Sequence, residues 1–232
     1  MALRGSGATH GMSRTTTPPP LGDFSLVGWF FPVTFAHGVS VFFSYATDEN
    51  PAKVIYVTTA GLLSVYDGAD VVTGLTLSLN TWVHIGLTFD GANVRGYLNG
   101  ALNITNASVT LGGDTLWVGT DASPSWLNGR YDAIKIWDVA LPEQAIAREM
   151  RQVRPVRTAN LNTFTSCRSL EEAPINYAGA HGLWTVGSGM AQEAGPPVPW
   201  ELPRRRPVAR APAVPVSVAG DEGFVWYRAL TG

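Results

Sequence analysis

The sequence predicts an all-β fold, a sandwich of two antiparallel sheets with one short helix and an extended C-terminal arm. Short runs of β-branched and aromatic residues alternate with Gly, Pro, Asn and Asp along most of the chain, which is the pattern of strands joined by tight turns. Only one segment, residues 141–153, has the composition of a helix. Strands at this spacing without long intervening helices favour two packed antiparallel sheets.

The clearest strands form a meander that begins at residue 83. Residues 83–89, VHIGLTF, carry large apolar side chains at every second position, which is the period of a half-buried strand. Asp-Gly at 90–91 and Asn-Gly at 99–100 follow, and both dipeptides tolerate the positive φ of hairpin turns. We therefore expect three consecutive antiparallel strands in this region.

Other segments carry the same strand signals. They are rich in Val, Ile, Phe, Tyr and Trp and are bounded by turn residues, as strands are. These segments are residues 23–32, 39–45, 53–59, 62–67, 115–119 and 131–138. Together with the meander they supply enough strands for two sheets around one core.

The helix is predicted over residues 141–153, LPEQAIAREMRQV. Pro142 suits the first helical position, and arginines crowd the C-terminal end, where the helix dipole is negative. Ile146 and Met150 are four residues apart and form a narrow apolar stripe. Pro155 ends the helix, because proline cannot continue the hydrogen-bond pattern. We expect the stripe to pack against the sandwich.

Length, charge and cysteine content restrict the class of protein. A chain of 232 residues can bury one sizeable core, and a net charge of −2 disfavours bulk attraction to nucleic acid or anionic membranes. Cys167 is the only cysteine, so no intrachain disulfide forms and we expect a small packed residue. No signal peptide or membrane-spanning segment is evident, which favours a protein that remains in the cytoplasm where it is made.

The composition changes at residue 201, and we expect residues 201–232 to form an extended arm. This segment is rich in Pro, Arg, Ala and Val and too poor in large apolar residues for a core of its own. It nevertheless contains a run of three arginines and ends in three aromatic residues, which something should bury. The residues that we expect to dock on a partner are Arg204, Arg205, Arg206, Phe224, Trp226 and Tyr227.

Four blocks of sequence carry a family resemblance. They are FSLVGWFFP, LNTWVHIGLTFDGANVRGYLNGAL, TLWVGTD and LNGRYDAIKIWDVALPEQAI. In this order and spacing, over roughly residues 20–150, the chain resembles the laminin G-like, concanavalin A-like jelly-roll family. The resemblance implies a jelly-roll sandwich. Residues 161–189 look like the first strand pair of that family, so we expect a circularly permuted domain over residues 1–200, closed by segment 159–200.

The resemblance also bears on cofactors. Some relatives hold a structural calcium with acidic residues near the N-terminal strand, but the matching stretch, residues 5–11, contains no acid. We therefore expect no cofactor, with a structural calcium left open. Asp132 and His84 match strand positions of the family, and we interpret both as structural hydrogen-bonding residues rather than metal ligands.

The family includes glycoside hydrolases, whose reaction needs two carboxylates around the scissile bond. None of the predicted strands offers two acids at i and i+2 or i and i+4, so we expect a protein that is not an enzyme. Sugar binding is the alternative function, since sandwich loops can place aromatic rings beside acidic acceptors. The candidate glycan contacts are Tyr66, Asp67, Asp70 and Trp126, of which Trp126 also matches a packing position of the family.

The main functional hypothesis is a virion structural protein. Jelly rolls without a signal peptide and with a Pro/Arg-rich tail look similar to structural proteins of tailed bacteriophages. Such a capsid decoration or accessory protein would assemble in the host cytoplasm and use its arm, 201–232, to anchor the jelly roll. The expected partners are the major capsid protein or other virion proteins and further copies of the chain, with no membrane and no nucleic acid. The alternative is a carbohydrate-binding module or adhesin that contacts a host-surface glycan.

Overall fold

The computed structural model describes most of the chain up to residue 198. The described residues are 2–5, 7, 11–15, 23–35, 39–47, 50–66, 70–107, 115–120, 125–168, 175, 177–178, 185–188 and 190–198. The strands, numbered in chain order, are β1 (Ala2–Gly5), β2 (Met12–Thr15), β3 (Phe24–Thr34), β4 (Val39–Thr47), β5 (Asn50–Thr58), β6 (Leu62–Tyr66), β7 (Asp70–Thr76), β8 (Val83–Phe89), β9 (Asn93–Leu98), β10 (Ala101–Ala107), β11 (Thr115–Val118), β12 (Asn128–Trp137), β13 (Leu161–Thr165), β14 (Thr185–Val186) and β15 (Ala191–Glu193). A short helix, α1 (Glu143–Glu149), lies between β12 and β13.

These strands form two antiparallel sheets. The first sheet has the order β10-β9-β8-β3-β12-β1-β15, with β13 also paired to β12, and the second has the order β14-β2-β11-β4-β5-β6-β7. The chain crosses from one sheet to the other between β3 and β4, between β7 and β8, and on both sides of β2, β11 and β14. The two-sheet sandwich with one short helix that the sequence predicts is confirmed.

The inner faces of the two sheets share one apolar core. Phe30 of the first sheet meets Phe42 and Phe43 of the second, with ring centroids 4.8 and 5.1 Å apart. Cys167 lies in the same core with its sulfur 4.0 Å from the sulfur of Met12. The expectation that the cysteine is a packed core residue is confirmed.

Both predicted turns of the meander are present. Oδ1 of Asp90 accepts hydrogen bonds from the backbone N–H groups of Ala92 and Asn93, at 3.2 and 2.8 Å. Asn99 and Gly100 have φ values of 52° and 81°, the positive pair that a type I′ hairpin turn requires. Local turn chemistry therefore sets the register of β8, β9 and β10.

The helix is shorter than the predicted range 141–153. It begins after Pro142 and ends at Glu149. The ammonium of Lys135 in β12 binds the carbonyl oxygens of Glu149, the last helical residue, and of Gln152 beyond it, at 3.0 and 2.9 Å. No helix within the described ranges is long and apolar enough to span a membrane.

The helix and the chain after it cover the outer face of the first sheet. Ile146 of α1 packs with Val27 and Trp137, which confirms the predicted contact of the apolar stripe with the sandwich. Val153 packs beside Trp29 farther along the same face. Much of the first sheet is therefore buried on both faces.

The chain beyond the helix supplies strands to both sheets. β13 and β1 lie in line along the same edge of β12, since Thr165 pairs with Ile134 and Leu3 pairs with Tyr131. β15 extends the first sheet from β1, and β14 extends the second sheet from β2. This segment thus completes the sandwich, while the circular permutation itself remains a prediction.

Candidate functional site

Cross-strand register places one continuous row of residues across the second sheet. Each member pairs with the next across adjacent strands, from β14 at one edge to β7 at the other. The row consists of Thr185, Ser13, Trp117, Ser44, Val54, Tyr66 and Asp70. We call it the second-sheet row.

At β11 and β4 the second-sheet row lies on the outer face of the sandwich. Leu116 and Val118 flank Trp117 in β11 and both pack in the core, so Trp117 alternates outward. Phe43, which precedes Ser44, is also a core residue. The Trp117 side chain is half-buried and Ser44 is buried.

Ser44 has a hydroxyl that the described residues leave without a hydrogen-bond partner. Burial of such a group without a partner costs about 1–3 kcal/mol. The serine is the direct cross-strand neighbour of Trp117, so a group that both donates and accepts lies beside an aromatic residue. The hydroxyl has almost no accessible surface, so the part of this pair that a ligand can reach is the indole of Trp117.

Two of the predicted glycan contacts fall in this row. Tyr66 is the last residue of β6 and Asp70 is the first residue of β7. The two are register partners and form the pair nearest to the point where the hairpin reverses. Asp67, the third candidate in this region, is outside the described residues. The register therefore brings Tyr66 and Asp70 into line with Trp117, a residue that the sequence analysis did not select.

Trp126 does not join them. It forms a β-bridge with Thr120 in the connection from β11 to β12, and it is half-buried. The first residue of β11 pairs with Ala46, near the end of β4. This is the end of the second sheet at which the β6–β7 hairpin turns, and β11 runs from there toward the other end. Trp126 therefore lies at the opposite end of the sandwich from Tyr66 and Asp70.

A second set of side chains crosses the outer face of the first sheet. The ring centroids of Trp82 and Phe31 are 5.5 Å apart. The guanidinium carbon of Arg130 lies over the same Phe31 ring, 4.3 Å from its centroid. Nε of Arg130 is 2.5 Å from Oε2 of Glu193, and Nη1 of Arg4 is 2.8 Å from Oε1 of the same carboxylate. We call these five residues the arginine–aromatic strip.

The strip carries one net positive charge, from two guanidinium groups and one carboxylate. The hydrogen bond from Arg4 is the main cause that holds the pKa of Glu193 below its ordinary value, and Arg130 lowers this pKa further. Arg4 and Arg130 are direct cross-strand partners, and like charges in that position repel each other. Glu193 therefore holds two arginines together that would otherwise move apart.

The interpretation of Asp132 as a structural hydrogen-bonding residue is confirmed. Oδ1 accepts the backbone N–H groups of Ala133 and Cys167, at 2.7 and 3.0 Å, next to the place where β13 ends and β1 begins. Burial raises the pKa of Asp132 to about 6. Among the described residues, no three His, Cys, Asp or Glu side chains lie close enough to hold a metal ion.

The corresponding interpretation of His84 is wrong for Nδ1. That atom is buried and has no partner in the described part of the chain, and the imidazole instead packs edge-on against Trp29 with ring centroids 5.3 Å apart. Burial, and after it the charge of Lys135, lowers the pKa of His84 to about 3. The ring is therefore neutral and contributes packing, while its backbone N–H donates to Oδ1 of Asn99 at 2.9 Å.

The residues predicted to dock on a partner lie outside the described residues. They are Arg204, Arg205, Arg206, Phe224, Trp226 and Tyr227. Sequence reasoning also did not find Trp117 or the strip. Alternation marks Trp117 as outward-facing within its strand, but its neighbours come from β2 and β4, and only the register identifies them.

Residues 6–147 match a laminin G family model described as the concanavalin A-like lectin/glucanases superfamily. The match covers more than half of the chain. No curated protein sequence matches the chain.

Solved structures share the fold at low sequence identity. A proposed carbohydrate-binding protein from Bacteroides ovatus superposes with a TM-score of 0.63 at 15% identity, over 82% of this chain and 59% of its own. Trypanosoma rangeli sialidase gives 0.57 at 14% identity, over 64% of this chain and 27% of its own. The heptameric SAP-like pentraxin from Limulus polyphemus gives 0.54 at 16% identity, over 82% and 93%. The chain thus spans less than two thirds of the Bacteroides protein and about a quarter of the sialidase.

Proposed function

The chain belongs to the concanavalin A-like lectin/glucanases superfamily, and on that premise we propose that it is a carbohydrate-binding protein. The observation that carries the proposal is the second-sheet row. In it the half-buried Trp117 lies in line with Tyr66 and Asp70 across adjacent strands. The fold shared with the Bacteroides ovatus protein, to which carbohydrate binding has been ascribed, supports the same class of ligand.

In the proposed complex three members of the row, Trp117, Tyr66 and Asp70, contact the ligand. The indole of Trp117 packs on the apolar face of one sugar ring, and the ring of Tyr66 contacts a second sugar. Asp70 accepts hydrogen bonds from a sugar farther along the bound oligosaccharide. The row crosses four strand spacings from β11 to β7, about 19 Å, which favours an oligosaccharide over a monosaccharide.

We propose binding without hydrolysis. Glycosidic cleavage needs two carboxylates that flank the bond, and Asp70 is the one acid in the second-sheet row. The carboxylates buried elsewhere in the described residues, Asp132 and Glu149, accept hydrogen bonds from backbone N–H groups or from Lys135 on the side of the first sheet. Both therefore have a structural task away from the row.

A glycan array followed by calorimetric titration tests the proposal. Trp117→Ala and Tyr66→Ala should each weaken binding of the best neutral oligosaccharide about fivefold to tenfold, because an aromatic contact contributes roughly 1 kcal/mol beyond its buried area. Tyr177→Ala is the matched control, since it removes an aromatic side chain that is 48% exposed and lies outside the row. Absence of saturable binding to every glycan, or equal affinity in all variants, would contradict the proposal.

A second candidate function is the anchoring of the domain to a virus particle. The observation that favours it is the sequence of the arm, in which Arg204, Arg205 and Arg206 precede three terminal aromatic residues. The arm would add a strand to a partner sheet or fill pockets on the major capsid protein, another virion protein or a further copy of the chain. The two functions are compatible, because a protein on a particle can also contact host glycans.

Density-gradient sedimentation tests the second candidate. The full chain and a form that ends at Trp200 are followed against DNA-filled particles in lysates of producing cells. Co-sedimentation of the full chain alone would support anchoring through the arm. If both forms remain at the top of the gradient, the particle hypothesis fails and the glycan-binding proposal stands by itself.

A further inference from the structure

Arg130 in the arginine–aromatic strip is fixed by contacts on two sides. Its guanidinium lies over the ring of Phe31, and its Nε pairs with the carboxylate of Glu193. Phe31 is in turn backed by Trp82. An arginine that is already oriented loses little conformational freedom when it binds a further group.

The two arginines retain unused hydrogen-bond donors. A guanidinium has five N–H groups. Glu193 pairs with one nitrogen of Arg4 and with one nitrogen of Arg130. Their other nitrogens have no partner in the part of the chain that the structure describes, and the side chains are 38% and 22% exposed. Two adjacent guanidinium groups with free edges suit a carboxylate, which accepts two parallel hydrogen bonds.

Aromatic surface continues the strip away from the arginines. Trp82 precedes β8, and Phe31, Arg130 and Arg4 lie on β3, β12 and β1, which are consecutive neighbours in the sheet. Trp82 therefore lies about 14 Å from Arg4, which corresponds to three strand spacings. A ligand that uses the whole strip must carry an anionic group at one end and a flat apolar face at the other.

We infer that the arginine–aromatic strip binds an acidic oligosaccharide, with the carboxylate of a uronic acid at Arg4 and Arg130 and a neighbouring sugar ring on Trp82. This site lies on the opposite sheet from the second-sheet row and shares no residue with it. It has in common with the proposed function only the class of ligand, so the two can fail separately.

The charge of the strip favours an acidic sugar over other anions. Glu193 leaves one net positive charge, which is little for the dense phosphate backbone of a nucleic acid. A uronic acid brings one carboxylate for each sugar ring, which matches one net positive charge. A peptide of acidic residues alone, such as tri-glutamate, offers carboxylates but no ring face for Trp82. Both parts of the strip are used only when anion and ring belong to one molecule.

Calorimetric titration of the full chain with tri-galacturonic acid tests the inference. Its methyl ester is the matched ligand, because it keeps the sugar rings and removes the charge. We expect the ester to bind at least tenfold more weakly than the acid, and the affinity for the acid to fall as salt is added, since exposed charges are screened.

Variants of the strip separate charge from packing. Arg4→Gln and Arg130→Gln should each weaken binding of the acid about fivefold or more. Arg148→Gln is the matched control, since it removes an exposed arginine on α1. Thermal melting of each variant verifies folding, and Arg4→Gln decides the outcome if Arg130→Gln fails to fold.

Several results would overturn the inference. These are equal affinity for the acid and the ester, unchanged affinity in both arginine variants, or tri-glutamate bound as tightly as tri-galacturonate. Loss of uronate binding in Trp117→Ala alone would move the ligand to the second-sheet row and support only the proposed function. Uronate binding that depends on the arginines, in a protein that binds no neutral glycan, would support only the strip.

Discussion

Nζ of Lys135 lies 2.9 Å from Oε2 of Glu149, and both side chains are only 1% exposed. The ammonium also donates to the carbonyl oxygens of Glu149 and Gln152, so all three of its N–H groups have acceptors. The carboxylate accepts further hydrogen bonds from the backbone of Val156 and Arg157, at 3.0 and 2.8 Å. One buried ion pair thus ties β12 to the end of α1 and to the chain that follows.

Removal of the cation from this pair should destabilise the fold. We expect Lys135→Met to lower the free energy of unfolding by about 3–5 kcal/mol, because the Glu149 carboxylate is then buried without a countercharge. Burial already lowers the pKa of Lys135, and Glu149 opposes this shift, as expected for charges that depend on each other. Urea denaturation followed by circular dichroism measures the change.

The matched control is the double variant Lys135→Met/Glu149→Gln. Glutamine keeps an oxygen that can accept from Val156 and Arg157 but leaves no buried charge. The double variant should therefore recover roughly half of the lost stability or more. Equal instability of the single and double variants would show that the uncompensated charge is not the cause.

Two buried groups should give opposite pH dependences of stability. The pKa of Asp132 rises from 3.8 to about 6, so its contribution is present at low pH and is lost as the pH rises from 3.8 through about 6. The pKa of His84 falls from 6.5 to about 3, so its contribution is present above pH 6.5 and is lost as the pH falls toward 3. Between about pH 4 and 6 the two slopes cancel.

Single variants should reveal each slope. Relative to the unmodified protein, Asp132→Asn should lose stability as the pH falls from about 6 to 4, by roughly 1.4 kcal/mol per pH unit. Its amide oxygen can still accept from Ala133 and Cys167. His84→Gln should gain stability over the same range. Urea unfolding at several pH values measures both, and identical slopes in all three proteins would count against the assigned pKa shifts.

Two glycines at turns of the meander should differ in their response to alanine. Gly91 and Gly100 both have φ of +81°, so alanine costs about 1 kcal/mol at either position from backbone strain. A Cβ at Gly100 would also lie 2.9 Å from Cα of Ala147 in α1, whereas at Gly91 the nearest atom is Oδ1 of Asp23, at 3.3 Å. Gly100→Ala should therefore be less stable than Gly91→Ala by roughly 1–3 kcal/mol. Equal melting temperatures would argue against the close approach of α1 to this turn.

Cys167 should resist thiol reagents in the folded protein. The side chain is fully buried, and burial raises the pKa of its thiol well above the ordinary value, so the reactive thiolate is absent. We expect labelling by a chromogenic disulfide reagent only through global unfolding, at a rate that rises with urea as the unfolding rate does. Rapid labelling without denaturant would show a local opening of the core around Cys167.

Local patterns predicted the part of the fold in which neighbouring strands are joined by tight turns. Alternation over residues 83–89 and the Asp-Gly and Asn-Gly dipeptides after it specify β8, β9 and β10 almost completely, because hairpin pairing depends on adjacent residues. The extent of α1 was not predictable in this way. The carbonyl oxygens at and beyond its end, those of Glu149 and Gln152, accept from Lys135, which comes from a strand distant from any local pattern in the helix.

The short strands at the sheet edges were also beyond local reasoning. β14 and β15 contain two and three residues, too few for a recognisable period, and they exist because β2 and β1 offer unpaired edges. The candidate glycan residues illustrate the same limit. By composition Tyr66, Asp70 and Trp126 were equivalent candidates for contact with a glycan. Only Tyr66 and Asp70 lie in the second-sheet row.

The sequence by itself determined the class of fold, the central meander and the burial of Cys167, because alternation, turn residues and side-chain hydrophobicity act over a few residues. Only the tertiary structure decided which polar and aromatic side chains meet. Trp117 reaches Ser44, and Arg130 reaches Arg4 and Glu193, through register between strands far apart in the chain. Such register follows from the packing of two whole sheets, which no short stretch of sequence contains.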